Sequence, residues 1–254
     1  MTDLTLRAVL RDIGTINPFF AVEPVPAGDG WVPVSALWRQ PDLLAAEIAD
    51  VRGRLAARAG VGLDAVEPRV AASILYQGLA SRLLSPVIAA ALCHGRSPDP
   101  ASLRWRPART GPLVFALGAG PGLDAPGGSG PEAAARFVHD RVIQGVLDPT
   151  GAAVRAQVKV ALRLLWGNAA SSLAGTVLQL AHGRPRHADA ALDLGEALMR
   201  RSPLAGLGAF SRPDAGTPSF TRSTCCLYYR IPGCAKCGDC ALAPTARSRP
   251  SSAH

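Results

Sequence analysis

RVAASILYQGLASRLLSPVIAAALCH, residues 69–94, is the longest strongly apolar segment of the chain. Apolar residues cover most of its circumference at helical spacing, so it is expected to be a long helix in the middle of the molecule. Gln77, Ser81, Arg82 and Pro86 interrupt it, which favours a buried helix over a bilayer span. Pro86 should kink it, and Gly95 is placed to end it.

Outward from this helix the pattern stays mostly helical. Residues 2–15 and 41–58 show helical spacing, the second through a stripe that includes Leu44, Ile48, Val51 and Leu55. Residues 16–32 are rich in proline and glycine and read as a loop. On the C-terminal side, Leu103–Arg106 alternates and residues 113–117 form a short apolar run, which together predict an antiparallel hairpin. Residues 118–131 are glycine-rich without a period. Helix is predicted again over 132–146, 151–182 with a break near Gly167–Asn168, and 188–200. Residues 205–224 read as loop with a strand candidate at 219–223. The fold class is therefore α+β, predominantly α-helical with a small antiparallel β-sheet and a C-terminal cysteine-rich segment. No internal repeat is found.

Length and charge bound the function. A chain of 254 residues with 48% hydrophobic content can bury a sizeable core. The net charge is +8, carried almost wholly by arginine, since Lys159 and Lys236 are the only lysines. These arginines are scattered, and no helix-turn-helix or RNA-binding aromatic signature accompanies them, so nucleic acid is not an expected partner. An anionic ligand or an anionic membrane surface suits the charge at least as well. The N-terminus has no apolar stretch of signal-peptide length, which predicts a cytoplasmic protein whose charge is compatible with peripheral contact at the inner face of the membrane.

CCLYYRIPGCAKCGDC, residues 225–240, holds five of the six cysteines. In a reducing compartment such a cluster points to a metal or redox site rather than to disulfides. Three readings compete. Structural zinc wants two CxxC-like knuckles, but the adjacent pair Cys225–Cys226 is an awkward one because neighbouring side chains of an extended chain point apart. A 4Fe-4S cluster would use Cys234, Cys237 and Cys240 as the first three ligands of a ferredoxin run, with its usual fourth cysteine missing. The third count is CC-x10-CxxC, Cys225, Cys226, Cys237 and Cys240, which supplies the four thiolates of a 2Fe-2S cluster and leaves Cys234 spare.

That third spacing resembles the C-terminal signature of FhuF-type ferric-siderophore reductases. Residues 69–99, LRWR at 103–106 and LLWGNAASSLAG at 164–175 are similar to further parts of that family, in the same order. The resemblance covers most of residues 30–240; with the chain length it gives one FhuF-like domain over residues 1–241, with a helical body at about 33–204 and a cluster-binding segment at about 219–241, while the composition of 242–254 predicts a disordered tail. It implies a 2Fe-2S cluster on Cys225, Cys226, Cys237 and Cys240, and one-electron reduction of siderophore-bound ferric iron to release ferrous iron. Arg222, Tyr229, Arg230 and Lys236 lie near those cysteines and are the expected contacts to a ferric siderophore; Arg222, Arg230 and Lys236 could instead raise the potential of the cluster. Tyr228 could shield it from water. Without a nicotinamide, flavin or phosphate-loop fingerprint, the electron donor is expected to be another protein or a small reductant. Two other readings stay open: a siderophore-binding protein with structural zinc, and a redox sensor in which Cys234 exchanges as a ligand. Gly167 and Asn168 could mark a functional break or close helix packing. His94, His139 and His182 read as core, surface or helix-end residues rather than ligands.

Overall fold

The computed structural model describes residues 2–24, 28–106, 113–118, 126–213 and 216–242. In chain order its helices are α1 (Thr2–Gly14), the short α2 (Ala36–Arg39), α3 (Pro41–Ala59), α4 (Pro68–His94), α5 (Pro131–Val138), α6 (Asp148–Gln157), α7 (Leu162–Gly183) and α8 (Ala188–Met199). The strands are β1 (Val32–Pro33), β2 (Leu103–Arg106), β3 (Val114–Leu117), β4 (Gly208–Ser211) and β5 (Ser219–Arg222). The predicted tail beyond Leu242 and the loop of the predicted hairpin lie outside the described residues.

Helix α4 sits where its sequence demands. Leu75, Leu79, Leu83, Val87 and Ile88 are all buried, and each buried side chain of this size stabilises the fold by about 1.5–3 kcal/mol. By length and composition α4 could cross a membrane, yet 78% of its most apolar 18-residue stretch is buried inside the protein. It runs without interruption through Pro86 and ends where Gly95 takes a left-handed φ of 64°. Helix α7 lies along it as the main partner, with α1 and α3 also against α4 and α8 against α7.

The hairpin forms as its alternation predicts. Leu103 pairs with Leu117 and Arg106 with Val114 in an antiparallel ladder, and Leu103 and Trp105 are fully buried while the arginines between them are half-exposed. A third strand, β1, adds to the far side through Val32 opposite Trp105. Strand β5 falls on the predicted candidate, and its antiparallel partner β4 comes from a stretch read as loop.

Two helix boundaries differ from the sequence reading. Helix α5 does not stop before the Asp148–Pro149 pair but continues through a π-helical segment, His139–Leu147, into α6. Pro149 is the second residue of α6 and marks the point where the π-helical segment gives way to α-helix. The expected break at Gly167–Asn168 is absent: α7 is continuous, and the chain turns at 158–161 instead.

Arg82 fixes the edge of this core. Its guanidinium donates to the carbonyls of Leu113 (2.6 Å), Ala21 (2.8 Å) and Pro18, tying β3's approach and the 17–21 turn to α4. Burial without a carboxylate partner pulls its pKa down to about 10, so it remains a cation at neutral pH.

Candidate metal centre and adjoining cavity

Strand β5 delivers the chain to the cysteine segment. In SFTR the period of two puts Phe220 and Arg222 on the buried face, and Arg222 is only 2% exposed. A buried guanidinium needs partners, and three groups supply them. Nη1 donates to Asn168 Oδ1 at 3.0 Å, Nη2 donates to Cys237 Sγ at 2.8 Å, and Asp239 lies at 3.4 Å as a salt-bridge partner. Asn168 in turn donates to the backbone carbonyl and hydroxyl of Ser73, and Ser73 donates to the carbonyl of Cys226 at 2.8 Å. One polar chain thus joins α4, α7, β5 and the first cysteine pair. Burial alone would lower the pKa of Arg222, but Asp239 and the neighbouring sulfurs outweigh it and raise it.

Four of the five sulfurs share this neighbourhood. Cys226 and Cys237 approach to 3.6 Å between sulfurs. Cys225 is close enough to Cys226 and Cys240 for their charges to act on it, and its sulfur accepts from the Leu227 N–H at 3.3 Å. Cys240 is buried and accepts from the Leu242 N–H at 3.4 Å. As a free thiol Cys237 is pushed up to about 12, by burial first and against the pull of Arg222. Cys225 is also raised, again by burial. Cys234 has other surroundings: it packs on the small cluster of Ala56, Val66, Val70 and Ile231. Its hydrogen bond with Tyr228 raises the pKa of that phenol.

The donor set fits an iron-sulfur group. Four thiolates suffice for two irons, two each, and the hydrogen bonds to sulfur from Arg222, Leu227 and Leu242 offset the charge such a group concentrates. Two further buried groups at this segment, Arg222 Nε and Thr224 Oγ1, have no hydrogen-bond partner among the described residues. Leaving such a donor unpaired costs about 1–3 kcal/mol, and a sulfur-rich group beside them would supply acceptors. Among the described residues, no three His, Cys, Asp or Glu side chains already converge as a single-ion site would require. Gly167 explains how α7 comes so near. A Cβ there would meet Thr224 Oγ1 at 1.6 Å, so only glycine lets the helix lie against the residue before Cys225.

The other expected contact residues are spread around this centre. Tyr229 is 40% exposed. Arg230 is exposed and engaged with Glu67 at 2.5 Å, and Lys236 donates to the Leu242 carbonyl at 2.6 Å. Arg222, buried against sulfur, presents no surface to a substrate; this corrects its expected role as a siderophore contact, and its cause is the face it shares with Phe220. Tyr228 lies beside Cys234, to which it is hydrogen-bonded, and near enough to Cys226 for the charge of that sulfur to act on it.

Sequence reasoning missed a cavity of about 730 Å³ that opens next to the cysteines. Gly238 and Asp239, between Cys237 and Cys240, form one wall; α4, α7, β5 and the 17–20 turn form the others. The helix walls are hydroxyl-rich. Ser81 donates to Ser172 (2.9 Å), Ser85 and Thr176 share a hydrogen bond (2.9 Å), and Ser171 donates to Asp239 Oδ2 at 2.5 Å.

Residues 222–242 match the family model of the FhuF 2Fe-2S C-terminal domain. The segment is therefore of the FhuF type, and the cofactor it points to is a 2Fe-2S cluster. No curated protein matches the chain.

Proposed function

We propose that this protein is a cytoplasmic ferric-siderophore reductase. The observation that carries the reading is the contact of buried Arg222 with Cys237, beside Cys226 and Cys225 and with Cys240 near Cys225, within a FhuF-type 2Fe-2S segment. Those four thiolates are the proposed ligands. Bound there, a 2Fe-2S group supplies a one-electron couple, in a class of centres whose potentials span about −700 to +450 mV. Siderophores hold ferric iron through hard oxygen donors that hold ferrous iron far less tightly, so the gain of one electron is itself the release step. No general acid or base is required.

The protein's own residues prepare that transfer. Arg222 places a fixed positive charge on the Cys237 sulfur, which favours the reduced, more negative state. Asn168 and Ser73 hold the guanidinium in place. Burial of Cys226 and Cys240 keeps water from two of the four sulfurs. The electron comes from an external one-electron reductant, protein or small molecule, and the net charge of +8 suits an acidic donor or an anionic membrane face.

Anaerobic purification with iron and sulfide analysis, followed by EPR after dithionite, tests the reading. About two irons and two sulfides per chain, with an S = 1/2 signal on reduction, are expected of a four-cysteine 2Fe-2S centre; ferric-siderophore turnover should follow. One zinc and no sulfide would overturn the proposal.

A further inference from the structure

We propose that the surface formed by the C-terminal half of α3, the start of α4 and the Tyr228–Arg230 turn is the docking face for the electron donor, and that it selects an acidic one-electron carrier protein. The inference deepens the reductase reading and rests on it for the need of a donor. It gives Tyr229 and Arg230 a different partner from the siderophore expected from the sequence.

Position comes first. The Leu227 N–H donates to Cys225 Sγ at 3.3 Å, and Leu227 takes a left-handed φ of 68° that turns the chain from the cysteine pair straight into Tyr228–Arg230. Beneath this turn, Leu227, Tyr228 and Ile231 pack on Ala56, Val66 and Val70, which holds α3 and the start of α4 against the cysteine segment. Tyr229 is 40% exposed on top of the turn, and Leu63, in the connection between α3 and α4, is 50% exposed. A partner that covers Tyr229 stands three residues along the chain from Cys226.

Charge gives the chemistry of the partner. Arg52 donates to the Val66 carbonyl at 2.6 Å, Arg69 (2.6 Å) and Arg230 both bond Glu67, and Arg58 is near enough to Tyr228 for its charge to act on the phenol. These interactions bring four guanidiniums onto one face. Among the described residues they have two carboxylate partners, Glu67 and Asp64, the latter 3.9 Å from Arg52. Arg58 is exposed and pairs with neither. Arginines and aromatic residues are enriched at protein interfaces, and charges at the rim of such a patch steer the encounter with a partner of opposite sign. Because Glu67 holds two of the guanidiniums in place, their planar forks suit carboxylates fixed on a folded partner more than the mobile headgroups of a membrane. In the step itself the carrier gives up one electron and is oxidised, the centre on the four cysteines gains it, and no bond forms or breaks.

Stopped-flow mixing of the cluster-loaded protein with reduced flavodoxin tests the face. Flavodoxin is an acidic one-electron flavoprotein whose oxidation is visible apart from the bands of an iron-sulfur centre. Arg58→Glu combined with Arg69→Glu should lower the second-order rate constant by about tenfold or more at low ionic strength, within the range of electrostatic steering. The difference should shrink in about 0.5 M salt, where screening confines the field to a few Å. Complete reduction by dithionite, the EPR signal and the thermal midpoint should stay as in wild type. Arg58→Glu alone should give a smaller fall, and it leaves the Arg69–Glu67 pair in place. Arg155→Glu lies near the opposite end of α3, where Gln157 donates to the Pro41 carbonyl, and should change the rate by about twofold at most. An unchanged rate in both patch variants, an equal fall in Arg155→Glu, or a wild-type protein that dithionite reduces and flavodoxin does not, would each overturn the face. So would loss of binding to phosphatidylserine vesicles in the double variant with its flavodoxin rate intact, which would assign the arginines to a membrane. These assays end at the reduced centre, whereas dithionite-driven turnover of a ferric siderophore bypasses the face, so each reading can fail while the other stands.

Discussion

Arg222 reaches the cysteines through one face of a four-residue strand. Its neighbour on that face, Phe220, is buried, so the alternation in SFTR already implied that the arginine would be buried with it. Expecting it to contact a siderophore gave weight to residue type over period, whereas the alternative expectation, that it acts on the cluster potential, suits its place beside Cys237. The consequence is testable by Arg222→Gln, which keeps hydrogen-bonding capacity toward Asn168 but removes the charge beside Cys237. The midpoint potential should fall, by on the order of 59 mV if the shift is tenfold for one electron, and Arg222→Lys should restore part of it. An EPR-monitored redox titration that finds the glutamine variant unshifted would exclude electrostatic tuning from this position. Cys234 makes the opposite case. Its contacts are Tyr228 and a small apolar cluster, so Cys234→Ser should keep full iron and sulfide content and cost no more than about 1 kcal/mol of stability, as for a small half-buried hydrophobe. Loss of half the iron would instead make it a ligand.

Helices and strands with a strong period were legible, and the errors fell where a local breaker is satisfied by distant partners. Gly167–Asn168 looks like a helix stop. In the fold Asn168 spends its amide on Ser73 and its carbonyl oxygen on Arg222, residues 95 and 54 positions away, and Gly167 makes room for Thr224. Neither partner can be inferred from the local sequence. The same holds for β4, four residues of weak strand character that pair only because β5 lies beside them. Gly167→Ala measures how much the α7 contact matters. Alanine should add about 1 kcal/mol of helix propensity, but its Cβ would fall 1.6 Å from Thr224 Oγ1 and 2.8 Å from Thr224 Cβ, so the turn before Cys225 must shift. Overpacking of this kind costs about 1–3 kcal/mol. The variant is expected to show a lower thermal midpoint and reduced iron content; wild-type values for both would mean that the turn yields freely.

At the scale of the molecule, the cavity was beyond sequence reading because five separated segments assemble it, while the cysteine spacing was legible because sixteen consecutive residues carry it. Another long-range assembly lies where the C-terminal ends of α1, α4 and α7 meet. Helix C-termini carry partial negative charge, and His94 and Arg184 stand there as complements. Asp12 joins them, with Oδ2 2.9 Å from His94 and Oδ1 3.2 Å from Arg184. Burial raises its pKa, but the His94 hydrogen bond and the Arg184 charge outweigh this and leave it below the ordinary 3.8. A carboxyl depressed on folding contributes stability that is complete above its unfolded pKa and is lost only as pH falls through the lower folded value. The contribution should therefore be fully present from neutrality down to about pH 5. Because the Asp12 side chain is 42% exposed, solvent screening limits it to on the order of 0.5 kcal/mol. Urea unfolding of wild type and Asp12→Asn at pH 7 and pH 5 should show the variant less stable at both, with a difference no smaller at pH 5. A difference that disappears by pH 5 would mean that the carboxylate's charge is not what ties α1 to the ends of α4 and α7.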